Sequence, residues 1–304
     1  MVGGSGTVLV AAIGFGVVSA AVIALAAIGF TLQVGISNIW NFAYGDIMIA
    51  CSYAGYAANH AGASIPLCVV VGAVVGSILS IATNRLIFMR FLARGVSSFG
   101  MLIVSLWCGV VLQNILLAVF GDHFFTYKLN VSRPNAALKD LGFLLNSTQL
   151  SIIGLAVVLI FLLYLFLEYT QLGQAMRATS SNSSLARVSG INTARVIDIT
   201  WGISGALCGV AGVVFAITVG AFESTSGEGF LVIVFAAAMI GGLGKPLGAA
   251  LGGLVLGVAM EVLAVYIQSD LKEIAALGIL VALLIFRPQG LFRGVSSAKG
   301  AAPA

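Results

Sequence analysis

Long apolar runs, broken by short polar or glycine-rich stretches, fill almost the whole chain. Nine stand out, at residues 8–30, 42–58, 66–83, 99–120, 150–168, 196–219, 230–242, 247–267 and 271–286. A helix crosses a bilayer with about 20 mostly apolar residues, so the pattern predicts a polytopic helix bundle with eight or nine crossings. The seventh and ninth runs are short for full spans and predict tilted, broken or re-entrant helices. A membrane β-barrel would alternate apolar and polar residues over segments of about ten. Runs such as 251–265 do not alternate, which leaves an all-α membrane protein.

Composition sharpens this picture. Of 304 residues, 60% are apolar and 8% charged, with 14 Lys+Arg against 10 Asp+Glu. A soluble domain carries roughly a quarter charged residues and still needs a wetted surface at this length. Soluble enzymes, nucleic-acid binders and disulfide-stapled secreted modules are thereby excluded. The 38 glycines suit close helix packing. Cys51, Cys68, Cys108 and Cys208 lie far apart inside apolar runs and read as small buried residues, with no zinc spacing. No basic region precedes the first run, so no cleaved signal peptide is read. No composition shift divides the chain, which reads as a single transmembrane domain over 1–304 with a disordered tail from about 296.

Charge placement orients the bundle. The loops at 85–97, 170–195 and 243–246 and the tail from Arg287 carry ten basic residues and no acid. The alternate loops at 121–149, 220–229 and 268–273 carry four basic residues and six acids, Glu223 and Glu228 among them. The positive-inside rule places the first set in the cytoplasm, and parity then places the N-terminus outside if the first two runs both cross. The four remaining acids, Asp46, Glu168, Asp198 and Glu261, fall within or at the ends of spans.

Four groups of residues are candidates for chemistry or packing. Asn38-Ile-Trp-Asn41-Phe42-Ala-Tyr44-Gly45-Asp46 lies between two apolar runs with too few polar residues for an ordinary loop. Either a helix breaks there at membrane depth and exposes backbone to protein or a wet cavity, with Asp46 as an intramembrane acid, or the stretch is a surface turn with Asp46 capping the next helix. In the basic stretch 177–192, Asn182 can N-cap a short helix and Gly190 fits the left-handed position that ends it. Leu185 and Val188 then share one face; the stretch is a docking helix or an ordinary cytoplasmic loop. Gly241-Gly-Leu-Gly244-Lys245-Pro246-Leu-Gly248 lacks the Ser or Thr that a phosphate-binding loop needs after its Lys, and reads as a tight turn between packed helices. Small-residue spacings at Gly72/Gly76, Gly205/Gly209, Gly248/Gly252 and Gly253/Gly257 specify helix packing. His60 and His123 have no cysteine nearby, and no catalytic set or ATPase motif is present.

Together and in order, these motifs resemble the permease subunits, of the H type, of bacterial ABC importers for branched-chain amino acids. The similarity covers about residues 20–293. It runs through Asn41-Phe-Ala-Tyr-Gly45-Asp46, the coupling loop from Gly173 to Asn192, Ile203–Gly212, Gly241–Gly248 and the closing Arg287-Pro-Gln-Gly290-Leu-Phe. The loop departs from the family in having Ser181 and Asn182 where acids are common. The resemblance implies a permease of the bacterial inner membrane that is not itself an enzyme and binds no cofactor. Its expected partners are a second related permease, two cytoplasmic ATP-binding subunits that use ATP and Mg, an external substrate-binding protein and membrane lipid, with no nucleic acid. Arg177, Ala178, Leu185, Ala186, Gly190 and Ile191 are the expected coupling residues. Asn38, Asn41, Phe42, Tyr44, Gly45 and Asp46 are expected at the pathway or gate. Gly205, Gly209, Gly241, Gly244, Gly248 and Gly252 are expected in helix packing. Branched-chain or other small amino acids are the implied cargo; urea, short amides or small carboxylates, and an ion-coupled transporter using Asp46 or Glu261, are the alternatives.

Overall fold

A computed structural model describes residues 3–129 and 145–266, with residues 274, 277, 278 and 281. Most of the ninth apolar run, the Arg287–Phe292 motif and the tail therefore lie outside the described residues. In chain order the helices are α1 (Gly3–Ser37), α2 (Tyr44–His60), α3 (Ile65–Ala93), α4 (Ser98–Phe120), α5 (Ser147–Tyr169), α6 (Gln171–Ser181), α7 (Ser183–Val188), α8 (Thr193–Val219), α9 (Ser226–Gly241) and α10 (Pro246–Ala264). Six of them (α1, α3, α4, α5, α8 and α10) are long and apolar enough to cross a membrane. The shorter α2 and α9 hold 17 and 16 residues.

Two boundaries differ from the apolar pattern for the same reason. α1 runs on past residue 30 to Ser37, because Gln33 is fully buried and its Nε2 donates to Ser80 Oγ at 2.9 Å. α3 runs through a π-helical turn at Asn84–Phe88 to Ala93. Arg85, placed in a loop by its charge, there donates Nη2 to Asp198 Oδ2 at 2.7 Å. A polar residue inside an apolar helix is tolerated once a tertiary partner satisfies it.

The core is an inverted pair of three-helix units. α1, α2 and α3 form one; α8, α9 and α10 form the other. α3 packs on α8 as α10 packs on α1, α2 touches α8 as α9 touches α1, and α2 meets α9. Glycines set the two principal seams. In the α3–α8 seam Gly72 faces Gly209 and Gly76 faces Gly205; in the α1–α10 seam Gly257 faces Ala20 and Gly253 faces Ala24. The reversed numbering shows that both pairs are antiparallel. Backbones without side chains between them approach closely, and this replaces the hydrophobic drive that lipid does not supply. α4 and α5 pack around this core and leave large apolar faces open, including Trp107, Val111, Phe161 and Leu162.

The loops sort to two ends. Ser180 Oγ donates to Gly35 O at 2.6 Å, Gly244 lies against Gly35, and Arg85 pairs with Asp198, so the three basic loops within the described residues gather at one end. At the other, Phe125 and Phe222 form a two-residue antiparallel bridge with N···O distances of 2.9 and 3.1 Å. Tyr53, Tyr56, Phe120, Tyr127 and both bridge phenylalanines interleave there as an aromatic plug. The positive-inside rule assigns this basic end to the cytoplasm.

Candidate functional site

α1 ends at the basic end, and the chain turns back to membrane depth before α2 begins. Asn38 takes a positive φ of 53° and is exposed, while Ile39, Asn41 and Ala43 behind it are buried. Asn38, Asn41 and Gly45 are poor helix formers, and the freed backbone finds specific partners. Phe42 N donates to Ser105 Oγ on α4 at 3.1 Å, and Ser105 Oγ donates to Trp40 O at 3.0 Å. Asn41 Oδ1 accepts from Ala43 N at 3.1 Å, and its Nδ2 donates to Gln33 Oε1 at 3.3 Å. Tyr44 is buried and its hydroxyl donates to Ala26 O at 3.0 Å. Ala26 stands eleven residues before the end of α1, or about 16 Å at 1.5 Å per residue. α2 therefore begins near the middle of the membrane.

Asp46 lies in the first turn of α2 and is 7% exposed. It does not cap the helix: the N-cap is Ala43, without a side-chain bond. Its Oδ2 lies against Gly109, the midpoint of α4, where a Cβ would strike it. Its Oδ1 has no hydrogen-bond partner among the described residues.

α9 repeats this arrangement from the opposite side. After the Phe222 bridge the chain turns inward, and α9 starts where α2 starts: a Cβ at Gly227 would lie 2.7 Å from Gly45 O. Glu228 follows in the first turn of α9, one residue past the Gly227–Gly45 contact, as Asp46 is on α2. The sequence pattern had put Glu228 in an outer loop; the structure puts it at membrane depth and exposed. A charged side chain at the centre of a membrane helix costs about 2.5–3.5 kcal/mol on insertion scales and by default faces protein or a water-filled cavity. Glu228, Gln33, Ser105 and Gly109 are the members of this region that sequence reasoning missed. The repeated Gly-acid pair, 45–46 and 227–228, each opening an apolar helix, was the available signal. Of the residues expected at the gate, Asn41, Tyr44 and Gly45 are buried in packing, Phe42 is half-buried, Asn38 is exposed at the turn, and Asp46 alone has a buried atom left unpaired.

A second site lies at the basic end. Asn182 Oδ1 accepts from Leu185 N at 3.0 Å and caps α7; Gly190, at φ 86°, ends it, with Ile191 N donating to Ala186 O at 3.0 Å. Ala178, Ser181, Asn182, Leu185, Ala186 and Ile191 line one open groove of about 220 Å³ between α6 and α7. Leu185 in its wall is 63% exposed and Ala186 is buried, while Val188, outside the lining, is 86% exposed. Arg177 stands outside the groove: Nη1 donates to Leu167 O at 2.8 Å and contacts the Glu168 carboxylate, tying α6 to the end of α5. Gly190 is at the hinge rather than in the groove. Of the packing glycines, Gly205 and Gly209 meet α3, Gly241 meets Gly248, Gly252 meets Ala237 O, and Gly244 turns at φ 81°. Among the described residues, no three His, Cys, Asp or Glu side chains form a metal-holding group.

Comparison with known proteins matches residues 12–286 to the family described as branched-chain amino acid transport system, permease component. The high-affinity branched-chain amino acid transport system permease protein LivH of Salmonella typhimurium is 28% identical over 285 residues, covering 91% of this chain and 92% of that protein. The corresponding protein BraD of Pseudomonas aeruginosa is 30% identical, covering 88% and 90%. A probable branched-chain amino acid transport permease protein LivH of Methanocaldococcus jannaschii is 30% identical, covering 88% and 87%. No solved structure matches.

Proposed function

Since the chain belongs to the family of branched-chain amino acid transport permeases, and is thus a multi-pass inner-membrane permease subunit of an ABC importer, we propose that it forms a pathway for branched-chain or other small amino acids together with a second, related permease. Two cytoplasmic ATP-binding subunits dock on α6 and α7 and use ATP and Mg; this chain binds no cofactor. An external binding protein delivers the cargo at the aromatic end. The chain acts as one domain with eight or nine crossings, α2 and α9 being segments that start inside the membrane.

The observation that carries this reading is the groove between α6 and α7. Its position gives a docked ATPase a lever: Ser180 on α6 bonds to Gly35 at the inner end of α1, and α1 packs on α8, α9 and α10. A push on Leu185, Ala186 and Ile191 reaches the bundle through that contact, the kind of rigid-body shift that opens a pathway to alternate sides. Arg177 and Gly190 set the angle of the lever; Asn38, Asn41, Phe42, Tyr44, Gly45 and Asp46 form the break it acts on. The resemblance of the chain to amino-acid permeases supports the cargo class. The test is uptake of labelled leucine and of urea into vesicles that hold the chain with its partners, with ion gradients collapsed. Leucine uptake that requires internal ATP is expected; uptake by this chain alone, lost with the gradient, refutes the importer reading.

A further inference from the structure

Two helices start against each other inside the membrane, each opened by glycine and acid. α2 begins Tyr44-Gly45-Asp46 and α9 begins Ser226-Gly227-Glu228, and the two glycines are in backbone contact. The side chains that follow differ in one respect. Asp46 is buried with Oδ1 unpaired, while Glu228 is exposed. An unpaired buried carboxylate oxygen, with a second, open carboxylate one residue past the Gly45–Gly227 contact, is a site short of a donor.

Charge arithmetic identifies what is missing. Each helix N-terminus contributes roughly half a positive charge. Two N-termini against two carboxylates leave about one negative charge, enough for one monovalent cation. A divalent metal would want six or more oxygen ligands, and no third acid, His or Cys joins the pair among the described residues. A carboxylate cargo group would be repelled. We propose that Asp46 and Glu228 form a subsite in the pathway for the ammonium group of the amino-acid cargo, Glu228 receiving it from the open side and Asp46 taking the second hydrogen bond. The proposal rests on the amino-acid importer reading. The absence of a side chain at Gly109 on α4 leaves room for the Asp46 carboxylate, which a Cβ there would strike.

The test uses the whole complex, with its second permease, ATPases and binding protein, in proteoliposomes. Glu228 is exposed, so Glu228→Gln tests the charge at little risk to folding; co-purification with the partners verifies assembly. ATP-driven leucine uptake is expected to fall at least tenfold in assembled Glu228→Gln, and Glu228→Asp to retain at least a third of the wild-type rate. Asp46→Asn is expected to fall as far. Glu228→Cys supplies a second readout: the ratio of its labelling by a cationic over an anionic aqueous thiosulfonate reagent of equal size should fall at least fivefold when Asp46→Asn is added, because that change removes the remaining carboxylate and leaves the two helix N-termini unopposed. Wild-type uptake rates in assembled Glu228→Gln, or a labelling ratio in Glu228→Cys that Asp46→Asn leaves unchanged, overturn the ammonium assignment alone. Wild-type leucine uptake that requires external sodium while ATP is present assigns the pair to an inorganic cation and also overturns it. Absence of ATP-driven leucine uptake in the wild type overturns the amino-acid importer reading itself, independently of any variant.

Discussion

The glycine seam between α3 and α8 makes a quantitative prediction. At Gly209 an added Cβ would collide with the Gly72 carbonyl, lying 2.5 Å from Gly72 C and 3.0 Å from Ala73 N. All three atoms are backbone, so no rotamer change relieves the clash. Carbon atoms in contact sit about 3.5–4.0 Å apart, so Gly209→Ala forces the two helices apart by about 1 Å. Overpacking of this kind costs about 1–3 kcal/mol, and the lack of any movable neighbour argues for the upper end. Alanine returns about 1 kcal/mol through its better helix propensity. The net expectation is a loss of about 2 kcal/mol, close to thirtyfold in the unfolding equilibrium. Gly154, in α5, has nothing within 4 Å of a new Cβ, so Gly154→Ala keeps the propensity gain without the clash. The two variants should differ by about 3 kcal/mol. Equilibrium unfolding in mixed micelles of increasing dodecyl sulfate, followed by far-ultraviolet circular dichroism, measures this difference. Equal midpoints for the two alanine variants would refute the claim that glycine contact holds this seam.

Three further expectations concern the cytoplasmic end. Leu185→Glu places a charge on the docking face and should abolish co-purification of the ATPases while leaving the unfolding midpoint of the isolated chain unchanged; wild-type yield of the complex would show that the face is misassigned. Asn182→Ala removes the α7 cap, at about 1 kcal/mol, and should raise amide exchange in residues 183–188 without changing exchange in α8; unchanged exchange in α7 would mean that the cap does not hold it. Arg85 and Asp198 are bonded by two charge-assisted contacts at 2.9 and 2.7 Å, but the arginine is mostly exposed. A double-mutant cycle with Arg85→Ala and Asp198→Ala should give a coupling below about 1 kcal/mol, and a value well above that would mean that the pair is shielded by lipid or a partner subunit.

Much of this protein was readable along the chain. Apolar run length made it an all-helical membrane protein, because a span must satisfy its backbone internally and bury about 20 residues in lipid. The cap at Asn182 and the stop at Gly190 were legible because both act within one turn. The interruption at 38–46 was legible too, where polar residues and glycine interrupt an apolar pattern, but the sequence left open whether it was a break at membrane depth or a surface turn. What failed was depth. Glu228 sits among polar residues that look like an outer loop, and its place beside Asp46 depends on contact between Gly45 and Gly227, 182 positions apart in the sequence. Tyr44 was expected at the pathway from its motif; the bond from its hydroxyl to a backbone carbonyl of α1 is a contact the sequence did not show. Composition and periodicity report how each segment meets lipid and water, since that depends on the segment alone. Which faces meet, and which acid is left without a donor, is decided by helix pairs that close over long separations, and only the folded bundle brings them together.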